Sequence, residues 1–429
     1  MNISSCHLFT LPPTILSTVQ TVNHNHQNQS VFKMEKTKKQ YPCNQQYPCI
    51  GRGFCGTVWA VENNRALKRE DGGPGRSVGN DYYMHCRLLN AVSFSSSVHT
   101  KPEQRAFPAA IPQVNTNMDG PCQKGFAEIL TQVFKLIEPW DTEFWRNSTP
   151  QFPKDYEPCL SLLSERIPHF PREVREQLIK QFCPPTLKDF IRSNPSDEHC
   201  LVRLYLGRRR VKPKNESRFQ RFSLRNYPLH IDQMEDLDLD IEAYARAMGI
   251  ALALIHWVAG IDGNDVEFVL APPRVRHDHQ NQSPVTHLDS PYMNSYMNIW
   301  SSSTKSLPES EVFHSHSLGE HTIWILDFDC CHPISFDEDG VEQAVTAFFR
   351  NDPYFPRPCT ESSDYRSVIA WRIFREAFLK RSLPALGDER YWLAERLMKR
   401  IEEVYWERKI LSEEARAGGD EQGIGGQQI

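Results

Sequence analysis

The sequence predicts an α+β fold of two lobes interrupted by long polar insertions. Three observations predict it: two short β-forming runs around residues 62–65, an amphipathic helical pattern over 241–257, and polar stretches too long for ordinary connections. At 429 residues the chain has ample length for a large core. Its 49 Lys+Arg and 54 Asp+Glu leave a net charge of −5, so it is neither a globally basic nucleic-acid binder nor an acidic tail. Any charged partner site must be local.

Residues 1–46 are rich in Asn, Gln, Ser, Thr and His without apolar periodicity, and are expected to be a disordered N-terminal segment. They show neither the basic start and apolar centre of a secretory signal nor the arginines of a mitochondrial leader, so an intracellular location, cytoplasmic or nuclear, is expected. No apolar run approaches the roughly 20 residues that span a bilayer, and no membrane is expected. The 12 cysteines then read as reduced thiols.

A small β-rich lobe is expected over 47–168. Thr57, Val58, Trp59, Ala60 and Val61 read as one strand and Ala66, Leu67 and Lys68 as the next, with a helix over 81–89 and a strand over 160–167 that runs into a hinge at Glu165. A helical lobe follows over 169–411. In its helix at 241–257, Tyr244, Ala247, Met248, Ala251, Leu254 and Ile255 recur at three- and four-residue spacing behind Asp240 as N-cap. A last helix over 389–409 carries the stripe Leu393, Leu397, Ile401 and Val404, which suits packing on its own domain. Residues 92–106, 207–221 and 271–320 read as insertions, and 412–429 as a disordered tail.

The chemistry concentrates in four motifs. Gly51, Gly53, Gly56 and Val58 form G-x-G-x-x-G-x-V, where missing Cβ atoms let backbone amides approach anionic oxygens; a tight turn with glycines for steric reasons gives the same pattern. β-formers follow the loop, which excludes a dinucleotide fold, and Thr57 stands where a Walker A loop needs Lys. A glycine loop between two strands, of the protein-kinase type, survives. Lys68 ends the next strand, as a phosphate-holding lysine would, or as a solvated strand lysine would; Asp81 and Glu70 are the near carboxylates that could position it. Asp262 precedes Glu267 by five residues, the spacing of H-R-D-x-x-x-x-N, with Gly260 in place of the His and Glu267 in place of the Asn. Asp327-Phe328-Asp329 ends an apolar run, matching D-F-G except at Asp329.

Over roughly 47–380 the chain resembles a fungal family defined only as a domain of unknown function, some of whose members are labelled zinc-finger-protein-like. The resemblance rests on residues 51–59 (GRGFCGTVW), 67–76 (LKREDGGPGR), 205–210 (YLGRRR), 221–229 (RFSLRNYPL), 264–270 (NDVEFVL) and 326–331 (LDFDCC). It implies no activity. At fold level the short motifs are similar to those of the protein-kinase and aminoglycoside-phosphotransferase superfamily, which implies a two-lobed protein-kinase-like fold. That resemblance implies ATP with Mg as cofactors. Gly51, Gly53, Gly56 and Val58 would cover the nucleotide, Lys68 would hold its α- and β-phosphates, Asp81 would position Lys68, and Glu165 would mark the hinge. Asp327 and Glu267 would bind the metal, and Asp262 would orient a hydroxyl of an unknown acceptor.

The expected function is a phosphotransferase. A catalytically inactive, pseudokinase-type binding or scaffold module for a protein partner is the alternative, since the motif departures sit at catalytic positions. A metal- or nucleic-acid-binding regulator is the third reading. Against zinc, Cys43, Cys49 and Cys55 lie six apart, Cys330, Cys331 and His332 are contiguous, and His277, His279, His314 and His316 fall in an expected insertion. The basic run of Arg208, Arg209, Arg210, Lys212 and Lys214, continued by Arg218, Arg221 and Arg225, suits phosphate contact or a solvated insertion. No stacking platform accompanies it, so nucleic acid is not expected.

Overall fold

Alternating β-formers ahead of a lysine-ended run build the first sheet. In the computed structural model, which describes residues 46–62, 64–94, 129–210, 221–274, 312–359 and 364–421, this sheet begins with β1 (Cys49–Arg52), β2 (Thr57–Val61) and β3 (Arg65–Arg69). Next come helix α1 (Val78–Phe94), β4 (Val133–Ile137), helix α2 (Thr142–Ser148) and β5 (Ser161–Glu165). The strand order is β1-β2-β3-β5-β4 and every pairing is antiparallel.

Register assigns the two faces. Trp59 faces Leu67 and Leu67 faces Leu163, and these three bury one face against Ile137, Trp145 and Phe152. One residue along, Val58 faces Lys68 and Lys68 faces Leu162, so these share the opposite face; Leu162 packs there with Val78 of α1. Period-2 alternation thus places Lys68 toward α1. The helix itself starts where Glu70 Oε2 accepts the Val78 N–H at 2.7 Å, and it extends to Phe94, beyond the expected 89 and into the expected insertion from 92.

The second part is larger. Helices α3 (Arg172–Phe182) and α4 (Lys188–Ser193) lead into β6 (Val202–Tyr205) and β7 (Tyr227–His230), then α5 (Ile231–Asp236) and α6 (Ile241–Ala253). Strands β8 (Glu267–Ala271), β9 (Phe313–Ser315) and β10 (Gly319–Leu326) complete a sheet ordered β7-β6-β8-β10-β9, in which β6 and β7 run parallel. Three helices close the chain: α7 (Glu338–Arg350), α8 (Tyr365–Leu386) and α9 (Trp392–Glu421).

Asp240 caps α6 by accepting the Ala243 N–H at 2.9 Å, as the sequence predicts. A π-helical turn, Leu254–Val258, continues the helix. Residues 241–258 are long and apolar enough to cross a membrane, but 67% of that window is buried inside the protein, as a core helix is. Helix α8 crosses α6 at Gly249, where a Cβ would lie 2.4 Å from the Phe374 carbonyl oxygen. The stripe Leu393, Leu397 and Ile401 is fully buried on this core, with Val404 packed at its edge.

Two further expectations need correction. The polar insertion at 271–320 is narrower than predicted: Ala271 ends β8, while 313–315 and 319–320 belong to the β9–β10 hairpin. Phe313 and Leu318, sparse apolar residues in a Ser- and His-rich run, are buried there, and His321 sits within 2.5 Å of the Tyr244 hydroxyl inside the core. The final helix, expected to stop near 409, continues to Glu421. Residues 211–220 and 275–311, the centres of two expected insertions, lie outside the described residues, as do 1–45 and 422–429.

Candidate functional site: an ion cluster at Lys68

The face of the first sheet that carries Lys68 meets the end of β10. Lys68 Nζ lies 2.6 Å from Asp81 Oδ2 and 2.5 Å from Asp327 Oδ1, with Asp329 Oδ2 at 3.6 Å. The other Asp81 oxygen accepts the Phe328 N–H at 3.0 Å, so one carboxylate from α1 fixes both the lysine and the backbone after β10. Asp327 adopts φ 69°, a left-handed conformation that Asp tolerates better than most residues. Phe328 turns inward against His85, ring centroids 4.7 Å apart, while both flanking carboxylates face Lys68.

A second cation adjoins. Arg76 Nη1 donates to Asp329 Oδ1 at 2.9 Å and also to Asp265, which is itself left-handed at φ 64°. Four carboxylates thus face two cations. Burial disfavours the Lys68 charge, but Asp327, Asp81 and Asp329 outweigh it and hold the lysine well above its ordinary range. The excess of hard oxygen donors suits a divalent cation such as magnesium.

The glycine loop folds back on the segment after β3. Gly53 N–H donates to the Gly56 carbonyl at 2.9 Å, and Gly72 and Gly73 donate to Cys55 and Phe54. Gly56, at φ 150°, is required sterically, since a Cβ there would lie 2.0 Å from the Arg69 carbonyl oxygen. A Cβ on Gly51 would press on Val58, whereas Gly53 has open space around it. Thr57 donates through N–H and Oγ1 to Asp71, pinning the loop's end. The tip residue, Phe54, is exposed.

Asp262 is differently placed. Its carboxylate accepts from the His332 N–H at 2.9 Å, the Asn264 N–H at 3.1 Å and Gln343 Nε2 at 3.0 Å, which braces its loop against the chain after Asp329. Glu267 is not among the Lys68 partners; it pairs with Arg203 of β6. Glu165, at the end of β5, spends its carboxylate on Arg274 at 2.6 Å and on the Gln132 N–H at 3.0 Å. A cavity of about 700 Å3, lined by Pro171, Val174, Gln177, Pro272, Arg274 and Leu318 among others, borders that bridge and touches neither Lys68 nor Asp327.

Burial pushes Glu267 up to about 7, with Arg203 opposing and Asp327 reinforcing the shift. A carboxyl raised above its unfolded value, 4.5, binds more protons when folded, so its contribution to stability is full below pH 4.5 and is lost as pH rises through 7. Urea unfolding from pH 5 to 8 should therefore show a downward component in the native protein that Glu267→Gln lacks; parallel profiles would refute the assignment.

The basic run is exposed at Arg208 and Arg210, as a solvated segment is, but its first three arginines are all paired. Arg208 pairs with Asp352, Arg209 with Glu235 at 2.6 Å and Asp364 at 2.7 Å, and Arg210 with Asp232 at 2.8 Å. Lys212, Lys214 and Arg218 lie outside the described residues.

A protein-family model matches residues 323–390. That model, for a domain of unknown function, carries the description "Zinc finger protein", and the matched part runs from β10 through α8 and includes Asp327 and Asp329. No curated protein and no solved structure matches the chain. Among the described residues, the group of His, Cys, Asp or Glu ligand atoms close enough to share one ion is Asp265, Asp329 and Cys330, within 4.8 Å of one another. Two carboxylates and one thiol are not the Cys and His set of a structural zinc site.

The site contains three residues that motif reading did not assign: Arg76, Asp265 and Asp329. Asp329 registered only as a departure from D-F-G. Its signal was a charge: an extra buried carboxylate demands a cation, and Arg76 ends a stretch already singled out, 67–76.

Proposed function

We propose that this protein has a two-lobed, protein-kinase-like fold that binds ATP with magnesium and transfers phosphate to a hydroxyl acceptor. The observation that carries the reading is the convergence of Lys68 from β3, Asp81 from α1 and Asp327 from the end of β10 on one ammonium. These are the places a kinase-like site gives its phosphate-holding lysine, the carboxylate that positions it and its principal metal ligand. The strand order with a glycine loop between β1 and β2 supports it further.

The residues fit the cofactor. Asp327 and Asp329 offer hard oxygens to magnesium and Lys68 offers its ammonium to phosphate oxygens. Magnesium, when bound, would neutralise charge on the phosphates. Asp81 keeps Lys68 in place through a contact independent of Asp327, so the lysine stays positioned when Asp327 changes partner. Val58, on the same face as Lys68, provides apolar cover beside it.

A second reading keeps the binding and drops the reaction. The three hydrogen bonds that occupy Asp262, with Gly260 where a His is usual, and the Arg203 pairing of Glu267 favour a binding module. A thermal-shift titration with ATP, with and without magnesium, tests both. At a ligand concentration of 100 Kd the native chain should gain about 2.7 kcal/mol, while Lys68→Met and Asp327→Asn should gain little. An unmoved native melting point overturns nucleotide binding, and a shift without ATP turnover or transfer favours the binding module.

A further inference from the structure

Arg76 is the cation of the ion cluster whose hydrogen-bonding capacity is visibly unspent. Both of its contacts, to Asp265 and Asp329, leave from Nη1, so Nε and Nη2 have no partner among the described residues. Those two N–H groups form one planar edge of the guanidinium, the edge that matches two oxygens of a phosphate. Unpaired N–H groups alone are not distinctive, since Arg69 Nη1 and Arg203 Nε also lack a partner, but those atoms are buried. Arg69 is enclosed by three aromatic rings, and Arg209 commits Nε and both terminal nitrogens to Glu235 and Asp364.

Position reinforces the contrast. The Arg76 side chain keeps a quarter of its surface exposed, and its guanidinium carbon lies 5.9 Å from the ring of Phe54 at the tip of the glycine loop. Its link to Lys68 is a single carboxylate: Asp329 gives Oδ1 to Arg76 and Oδ2 to Lys68. The two cations of the site are therefore held beside one another beneath that loop, one closed in by carboxylates and one with an open edge. We infer that Arg76 is a second phosphate-binding residue, which takes oxygens of the nucleotide's polyphosphate through Nε and Nη2 while Asp265 and Asp329 retain Nη1. The inference rests on the nucleotide-binding reading above and adds to it a residue and a ligand group. It also divides the work of Asp329, whose Oδ1 holds the arginine while Oδ2 faces Lys68.

Calorimetric titration of the full chain with ATP, ADP and adenosine, each with magnesium present, tests it on the native protein, Arg76→Lys and Arg76→Gln. Lysine keeps the charge and loses the planar edge. Arg76→Lys should weaken ATP about tenfold and Arg76→Gln more, with adenosine affinity unchanged within twofold. Equal ATP affinity in native protein and Arg76→Lys overturns the inference while leaving nucleotide binding intact. Equal losses for ATP and adenosine make Arg76 a structural brace and overturn it too. Absence of ATP binding by the native chain removes the parent reading and this one together. Should either variant fail to fold, arginine-selective labelling of the native protein by phenylglyoxal decides: ATP must protect Arg76 and adenosine must not, and equal labelling in the two overturns it.

Discussion

Lys68→Met will cost the folded protein about 3–5 kcal/mol near neutral pH, the usual price of stranding buried charges, and the loss will shrink on acidification. Methionine approximates the lysine's volume, so packing changes little and the effect is electrostatic. Without the ammonium, Asp81, Asp327 and Asp329 face one another, with Arg76, on Asp329, as the remaining paired cation among the described residues. Burial already raises Asp81, and removing Lys68 removes the interaction that opposes the rise. Carboxyls raised above their unfolded value of about 3.9 bind more protons when folded, so stability falls as pH rises above about 4. Urea unfolding of both proteins at pH 5 and pH 7.5 checks this. A pH-independent difference would mean that the cluster's charges are already screened by water and that the site is not a focused field.

Arg69→Met should cost about 3 kcal/mol and loosen the glycine loop. Arg69 is 1% exposed, donates to the Glu157 carbonyl at 2.5 Å and to Asp71 at 3.1 Å, and lies 4.8–5.2 Å from the rings of Trp145, Phe152 and Tyr156. The same Asp71 pins Thr57 at the loop's end, so the substitution reaches the loop through one carboxylate. Hydrogen exchange at the Thr57 amide should accelerate along with the drop in global stability. Loss of stability with Thr57 protection unchanged would show that Asp71 holds the loop without help from Arg69.

Local elements were legible where the pattern was short-range. The β2 and β3 strands follow from Thr57, Val58, Trp59 and Val61, and the start of α6 from Asp240, because neighbours a few residues away decide those conformations. The β9–β10 hairpin was hidden because Phe313 and Leu318 are too few to give a period, and their burial depends on helix α6 some seventy residues earlier. At the site, Lys68 and Asp327 were readable as motif positions. Arg76 and Asp265 were not, because only the folded chain brings residues 76, 265 and 329 together, and exposed-looking charges in loops have no sequence signature of pairing.

The 259 residues between Lys68 and Asp327 also set a timetable. Asp81 leaves the ribosome almost with Lys68, whereas at roughly 5–20 residues per second Asp327 follows some 10–50 s later. For that interval the nascent first sheet owns half a salt-bridge cluster and no counterpart from β10. Translation therefore orders assembly: the lysine is positioned early by its local partner, and the ion cluster becomes complete only when the second sheet has been synthesised and docked.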